Sequence, residues 1–206
     1  PVFLVQYGAG RGQYQHVNMF DFFAGPGLDA AGHPGSPLII VDELRKFCAE
    51  AQRASGLDIR MLFNDLKADH IARLKEEVAK VACSNGCCRV EYSTMPFQQA
   101  FQANLASMQD GNSANLVIMD QFGVKEVTPE LVRQFAECGA TDILFCISSS
   151  YIRRFIDTPE LGSKFDMKAE EVKTLDYNGT HRFVCDYFRE KLGAKHFYLA
   201  PFSIKK

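Results

Sequence analysis

Apolar positions along the chain recur in two periods that take turns. Short runs rich in β-branched and aromatic residues fall near residues 17–23, 57–63, 89–92, 115–119, 141–147 and 196–202, each long enough for one strand. Longer stretches with helical spacing lie between them, at residues 37–55, 67–82, 96–108, 129–138 and 180–192. Pro37 and Pro129 suit a helix's first turn, where a missing N–H costs nothing, and Thr128 stands before the second as a cap. Strands alternating with helices predict an α/β domain built on a doubly wound, mostly parallel sheet. The stretch 158–177 is charged, with Pro, Gly and spaced acids, and reads as a surface excursion holding one short helix. One domain over residues 1–206 is expected, with 1–16 as a lead-in.

Two glycine clusters compete for a ligand, "YGAGRG" at residues 7–12 and "FDFFAGPGLDAAG" at residues 20–32. A nucleotide-type cofactor on this architecture needs a strand, then a glycine turn its backbone can bring close to the ligand, then an acid after the next strand for ribose hydroxyls. The second cluster meets all three conditions: Asp21-Phe-Phe-Ala-Gly-Pro-Gly27 closes an apolar run, a helix follows, and the next strand ends on Asn64-Asp65. The first fails, because only eight residues separate Gly12 from Asp21, too few for a crossover. A tight turn at Gly25 and Gly27 with no ligand is the plain alternative. A nicotinamide fingerprint wants its helix at once and its acid about 20 residues on. Here an irregular loop, residues 28–36, follows the turn, and Asp65 comes 40 residues after Gly25. S-adenosylmethionine, which has no pyrophosphate, is the better expected cofactor, and a dinucleotide oxidoreductase is disfavoured.

Composition adds limits. With 206 residues, 47% hydrophobic, the chain has ample core for one domain, and a net charge of −2 gives no global pull toward nucleic acid. Residues 1–150 carry 12 basic against 17 acidic side chains and residues 151–206 carry 11 against 8, so the last quarter is mildly basic. The cations from Arg153-Arg154 to Lys195 are interrupted by acids and read as a charge-mixed solvated face before they read as a phosphate track. No apolar run has membrane length and no signal peptide opens the chain, which leads us to expect a cytoplasmic protein. Of seven cysteines, Cys48, Cys138, Cys146 and Cys185 fall in apolar runs and are expected as reduced core thiols. Cys83, Cys87 and Cys88 lack a fourth ligand at zinc spacing, so no metal is expected. Each histidine stands alone; only His33 lies near the proposed cofactor.

The motifs D-F-F-A-G-P-G at Asp21 to Gly27, G-S-P at Gly35 to Pro37 and D-Q-F-G at Asp120 to Gly123 together resemble the three-Cys-motif partner family (TcmP). Its members look like Rossmann-like, S-adenosylmethionine-dependent methyltransferases. The resemblance spans roughly residues 20–147. It implies that Asp21, Phe23, Ala24, Gly25, Pro26 and Gly27 line the methionine end of S-adenosylmethionine and that Asp65, with Asn64, receives the ribose hydroxyls. It also puts Asp120 beside the transferable methyl, with Phe122 stacking on an acceptor such as a flipped base. Gln121 departs from the proline usual in the family at that position. The partner implied is a radical-SAM-like protein that carries the three-Cys motif itself. Two functions follow: methyl transfer to an unidentified acceptor, a nucleic acid or a partner-bound substrate, or a non-catalytic module working through that partner. Methyltransferase sheets of this type finish with an antiparallel seventh strand, and only six are counted here. Two expectations follow: either the native chain continues past Lys206, which the resemblance favours, or the last strand is lacking and the fifth carries an open edge through which copies self-associate.

Overall fold

The computed structural model describes residues 14–51, 57–81, 88–121, 124, 126–193 and 198–201, with backbone alone for residues 47–51 and 136. Strands and helices alternate through β1 (His16–Asp21), α1 (Ser36–Ala51), β2 (Asp58–Asn64), α2 (Ala68–Val81), β3 (Arg89–Ser93), α3 (Phe97–Met108), β4 (Ser113–Met119), α4 (Pro129–Ala136) and β5 (Ala140–Phe145). The five strands form one parallel sheet in the order β3-β2-β1-β4-β5. A Rossmann-like doubly wound fold is the result, as the alternation predicts. Four further helices follow: α5 (Ser149–Phe155), α6 (Pro159–Gly162), α7 (Ala169–Thr174) and α8 (Tyr177–Leu192). The described chain gathers into two compact units, the first Pro1–Asp120 with Glu137–Leu144 and the second Gln121–Ala136 with Phe145–Lys206.

In the first unit β1 pairs with β2 on one side and β4 on the other, so the pleat sorts its side chains between two faces. Val17 and Met19 join Ile59, Met61 and Phe63 of β2 in an apolar layer. That layer is closed by Leu38, Val41 and Leu44 of α1 and by Ile71, Leu74 and Val78 of α2, residues three and four apart on each helix. The opposite face is unlike it. The register aligns Arg60, Asn18 and Asn115 side by side across three strands, and all three are tied to α3 or to each other. Asn18 Nδ2 donates to Asn115 Oδ1 at 3.0 Å, and Asn115 Nδ2 donates to the Met108 carbonyl at 2.9 Å and to Thr141 Oγ1 at 3.1 Å. Arg60 donates to Glu91 and to Asn104 Oδ1, each at 2.7 Å, and its guanidinium lies 5.7 Å from the Phe20 ring. A polar stripe thus fixes α3 on a face that hydrophobicity alone would let slide.

The second unit is built around α8, whose Val184, Tyr187, Phe188 and Leu192 are buried. Asp176 caps this helix, its Oδ1 accepting from Gly179 N at 2.6 Å. Arg133 of α4 donates to the Lys191 carbonyl at the far end of α8. The region expected as a surface excursion supplies core instead: Leu161, Phe165 and Val172 are all buried, and Phe165 meets the rings of Tyr187 and Phe188. Residues 158–177 hold two short helices, α6 and α7, where one was expected, and α5 forms where none was. α5 has seven residues, under two turns, too few to display a period, and it depends on Ser148 accepting from Tyr151 N and on buried Ile152.

Five strands are present among the described residues. Of the sixth expected strand, residues 196, 197 and 202 lie outside them, and residues 198–201 carry no strand. Residues 158–177 are helical or irregular and add no strand. Cys138 is buried as expected, but Cys146 is exposed and Cys88 and Cys185 are half-buried.

Asn115 tests the stripe. It is fully buried and its amide serves several acceptors, so Asn115→Ala takes the buried acceptor from Asn18 Nδ2, which keeps only its longer bond to the Ser107 carbonyl, and a donor from the Met108 carbonyl. Loss of about 2 to 4 kcal/mol is expected in urea unfolding, with the denaturant slope unchanged.

Candidate functional site

In a doubly wound sheet the crevice opens where neighbouring strands send their connections to opposite faces, and here that point lies between β1 and β4. Asp21 is the last residue of β1, and Asp120 directly follows β4. Asp21 is 1% exposed. Its Oδ1 accepts from Phe23 N at 3.2 Å and its Oδ2 from Ser36 Oγ at 2.6 Å. Burial pushes its carboxyl up to about 6; the bonds from Ser36 and Phe23 pull the other way, and the charges of Asp120 and Asp65 add to the rise. Asp120 is exposed and makes no hydrogen bond or ion pair with any described residue.

The turn from Phe22 to Gly27 is held from three sides. Phe22 N extends the ladder to the Ile118 carbonyl at 3.2 Å, and Ala24 N donates to the Asn64 carbonyl at 2.9 Å. Gly25 N donates to Asp65 Oδ2 at 3.0 Å, so the acid after β2 reaches the glycine turn that follows the neighbouring strand β1. Gly25 and Gly27 have φ of 64° and 87°, the left-handed region that other residues enter at a cost. Their surroundings differ. A Cβ on Gly27 would come within 2.9 Å of Leu74 Cδ1, whereas one on Gly25 would meet nothing within 4 Å. Gly27 is therefore a packing glycine, and Gly25 presents bare backbone to open space. Ala24 is buried, Phe23 and Pro26 are half-buried, and the Phe23 ring stacks on Phe97 at 5.4 Å.

Asn64 is spent on scaffolding. Its Nδ2 donates to the Phe22 carbonyl at 3.2 Å and the Met95 carbonyl at 3.1 Å, and its Oδ1 accepts from Met95 N at 3.2 Å. It fixes the exits of β1, β2 and β3 relative to each other; both its amide hydrogens are committed to backbone. Asp65 is the more open of the pair: Oδ1 accepts from Lys67 N at 2.8 Å, and His70 Nδ1 sits 3.2 Å from the same oxygen without hydrogen-bonding geometry. Each carboxylate oxygen retains acceptor capacity beyond these bonds. Leu66 and Met95, just past β2 and β3, are 69% and 45% exposed, an unusual state for two large apolar residues on neighbouring strand exits.

Ser36, His70, Leu66 and Met95 were not singled out from sequence. Only Ser36 left a trace, as the centre of G-S-P. Phe122 and Gly123 lie outside the described residues. His33 belongs to its own loop: Asp29 accepts from Ala31 N and His33 N at 2.8 Å each, and His33 Nδ1 is 3.1 Å from Asp29 Oδ2. Two other histidines have partners the sequence did not reveal, His16 at 3.2 Å from Asp58 and His181 at 3.8 Å from Cys185. Among the described residues no group of three metal-ligating side chains occurs, and no helix is long and apolar enough to cross a membrane.

Fold and site together define a Rossmann-like α/β protein with a glycine turn, framed by carboxylates, at its switch point. No protein-family model matches the chain, and no curated protein matches it in sequence.

Two outcomes follow from this geometry. The folded protein holds a proton on Asp21 more tightly than the unfolded chain does, so this residue's contribution is most favourable below pH 4 and is lost as pH rises through about 6. Asp21→Asn should gain on wild type across that window, by up to about 3 kcal/mol at pH 7, in urea unfolding at a series of pH values. Gly27→Ala adds a clash with buried Leu74 to the backbone strain and should cost about 2 to 4 kcal/mol, against about 1 to 2 for Gly25→Ala in the same assay.

Proposed function

We propose that the chain binds S-adenosylmethionine at the carboxyl ends of β1 and β2 and transfers its methyl group to an acceptor held at Asp120. The observation that carries this reading is the charge of the crevice. Asp21, Asp65 and Asp120 meet around a glycine turn, and the first of them already feels the other two. A pyrophosphate would be repelled there and would need a helix N-terminus behind the turn, yet α1 begins only at Ser36. A sulfonium and an α-ammonium group are cations, and the same field favours them.

The parts divide by position. The open backbone at Gly25 takes the amino-acid end of the cofactor, with Phe23, Ala24, Pro26 and Gly27 shaping the turn. Asp65 receives ribose hydroxyls on its remaining lone pairs, and Asn64 holds the strand exits on which that acid stands. Leu66 and Met95 offer apolar surface for the adenine. Asp120, exposed and unpaired by any described residue, accepts a hydrogen bond from the nucleophile of the acceptor; Phe122, two residues on in sequence, is the ring that would stack on that acceptor. The order of motifs that resembles the TcmP family supports the same assignment, and with it a three-Cys-motif partner. A second reading, a methyltransferase-like module without catalysis that works through that partner, is favoured by the bonds Asp65 already makes to Gly25 and Lys67.

Calorimetry with S-adenosylmethionine, S-adenosylhomocysteine and NAD separates these readings. Both adenosyl ligands are expected to bind and NAD to fail; NAD binding alone would sink the proposal. Asp65→Ala should weaken the adenosyl ligands by about 1.5 to 3 kcal/mol. Asp120→Ala should leave their affinity nearly unchanged while abolishing labelled-methyl transfer to cellular RNA, DNA or protein fractions. Binding without transfer to any fraction by the wild type would favour the module.

A further inference from the structure

The second unit contains a cleft of about 430 Å³ lined by Ser150, Arg153, Arg154, Lys173, Tyr177 and Thr180. That volume lies within the ordinary range of small-ligand sites and holds one nucleotide comfortably. On α5, Ser150 stands three and four residues before the two arginines, so all three share one face of the helix. Across from them come Lys173 of α7 and, from the first turn of α8, Tyr177 and Thr180.

The cations are not equivalent. Lys173 is already paired with Asp157, and its charge is largely answered. Arg153 and Arg154 are both exposed, and neither is ion-paired with any described residue; Arg154 lies only against the ring of Phe155, 5.9 Å from its centroid. Asp176, the nearest acid in sequence to Tyr177, is committed to Gly179 N as the helix cap. Two adjacent guanidinium groups with free donors at a cleft form a fork suited to phosphate oxygens, which they can meet in pairs. Tyr177 adds a second, different signal. The residue is 56% exposed at the same cleft, and its ring offers an apolar plane that a flat heterocycle would cover.

From this juxtaposition we infer that the cleft seats one nucleotide of a single-stranded nucleic acid, its phosphate on Arg153 and Arg154 and its base on Tyr177. A duplex keeps its bases stacked inside and offers none to such a ring; a single strand does. The mildly basic balance of the last quarter, 11 cations against 8 acids in residues 151–206, helps the strand approach without holding it elsewhere. Neither S-adenosylmethionine binding nor methyl transfer is required for this inference.

Fluorescence anisotropy with a labelled mixed-sequence single strand of about ten nucleotides, titrated at roughly 50 to 300 mM salt, tests it. Arg153→Ala/Arg154→Ala should make the plot of log affinity against log salt shallower by about 0.7, the contribution of one phosphate neutralised on a single strand. Tyr177→Ala should weaken binding roughly fivefold or more at every salt concentration, whereas Tyr177→Phe should keep wild-type affinity because the ring remains. Inorganic tripolyphosphate, which carries the charge and no base, should bind wild type and Tyr177→Ala alike. All of these side chains but Thr180 are exposed or sit at the cleft's rim, and unchanged thermal melts verify the fold of each variant. The inference is overturned by no strand binding at the lowest salt, by an unchanged salt slope in the double arginine variant, or by equal strand affinity in Tyr177→Ala.

Discussion

A carboxylate taken out of water must find its hydrogen bonds inside the fold, and the one at the end of the central strand finds them in the chain that leaves it. Asp21 accepts from Phe23 N two residues on and from Ser36 Oγ at the start of α1. These two bonds fix where the turn begins and where the loop after it must return. The turn between them is then pinned by the neighbouring strand, through Asp65 on Gly25 N and the Asn64 carbonyl on Ala24 N. The glycine turn is thus held at both ends by bonds within the protein, and a ligand bound there would be spared the entropy of ordering it.

That preorganisation uses negative charge, and the choice limits what the crevice can hold. Most nucleotide sites on this fold bring backbone N–H groups and a helix end to bear on phosphate. Here the corresponding N–H groups of Phe23 and Gly25 are turned onto carboxylates of the protein itself. The donors that would greet a phosphate are occupied, and the oxygens that would repel it are close by. The loop of residues 28–35 closes on its own side chains and on the Leu28 to Pro34 bridge, and Gly35 N returns to the Gly27 carbonyl at 2.7 Å.

Much of this was legible in the chain. Five strands and the helices between them follow from period and punctuation, because a strand buried on both faces announces itself as a continuous apolar run. Asp21, Gly25, Gly27 and Asp65 stood out because a turn of that kind needs residues of that type at strand ends. What was hidden is whatever depends on a partner distant in sequence. Nothing near Asp65 reveals that its carboxylate reaches back to Gly25, and nothing near Asn64 reveals that its amide serves the Phe22 and Met95 carbonyls. Short helices were lost for another reason: α6 has four residues and α7 six, less than two turns each, and their buried Leu161 and Val172 sit among charges that dominate any local average.

The register of β1 also sets an order of events during synthesis. Its partner on one side, β2, leaves the ribosome soon after it, but on the other side Asn18 must wait for Asn115, 97 residues later. Until then the strand that becomes the centre of the sheet is an edge, with one row of backbone groups and a polar side chain exposed. The nascent β1-β2-β3 half is the stage at which this protein is most open to pairing with the wrong strand, and the arrival of β4 ends that exposure.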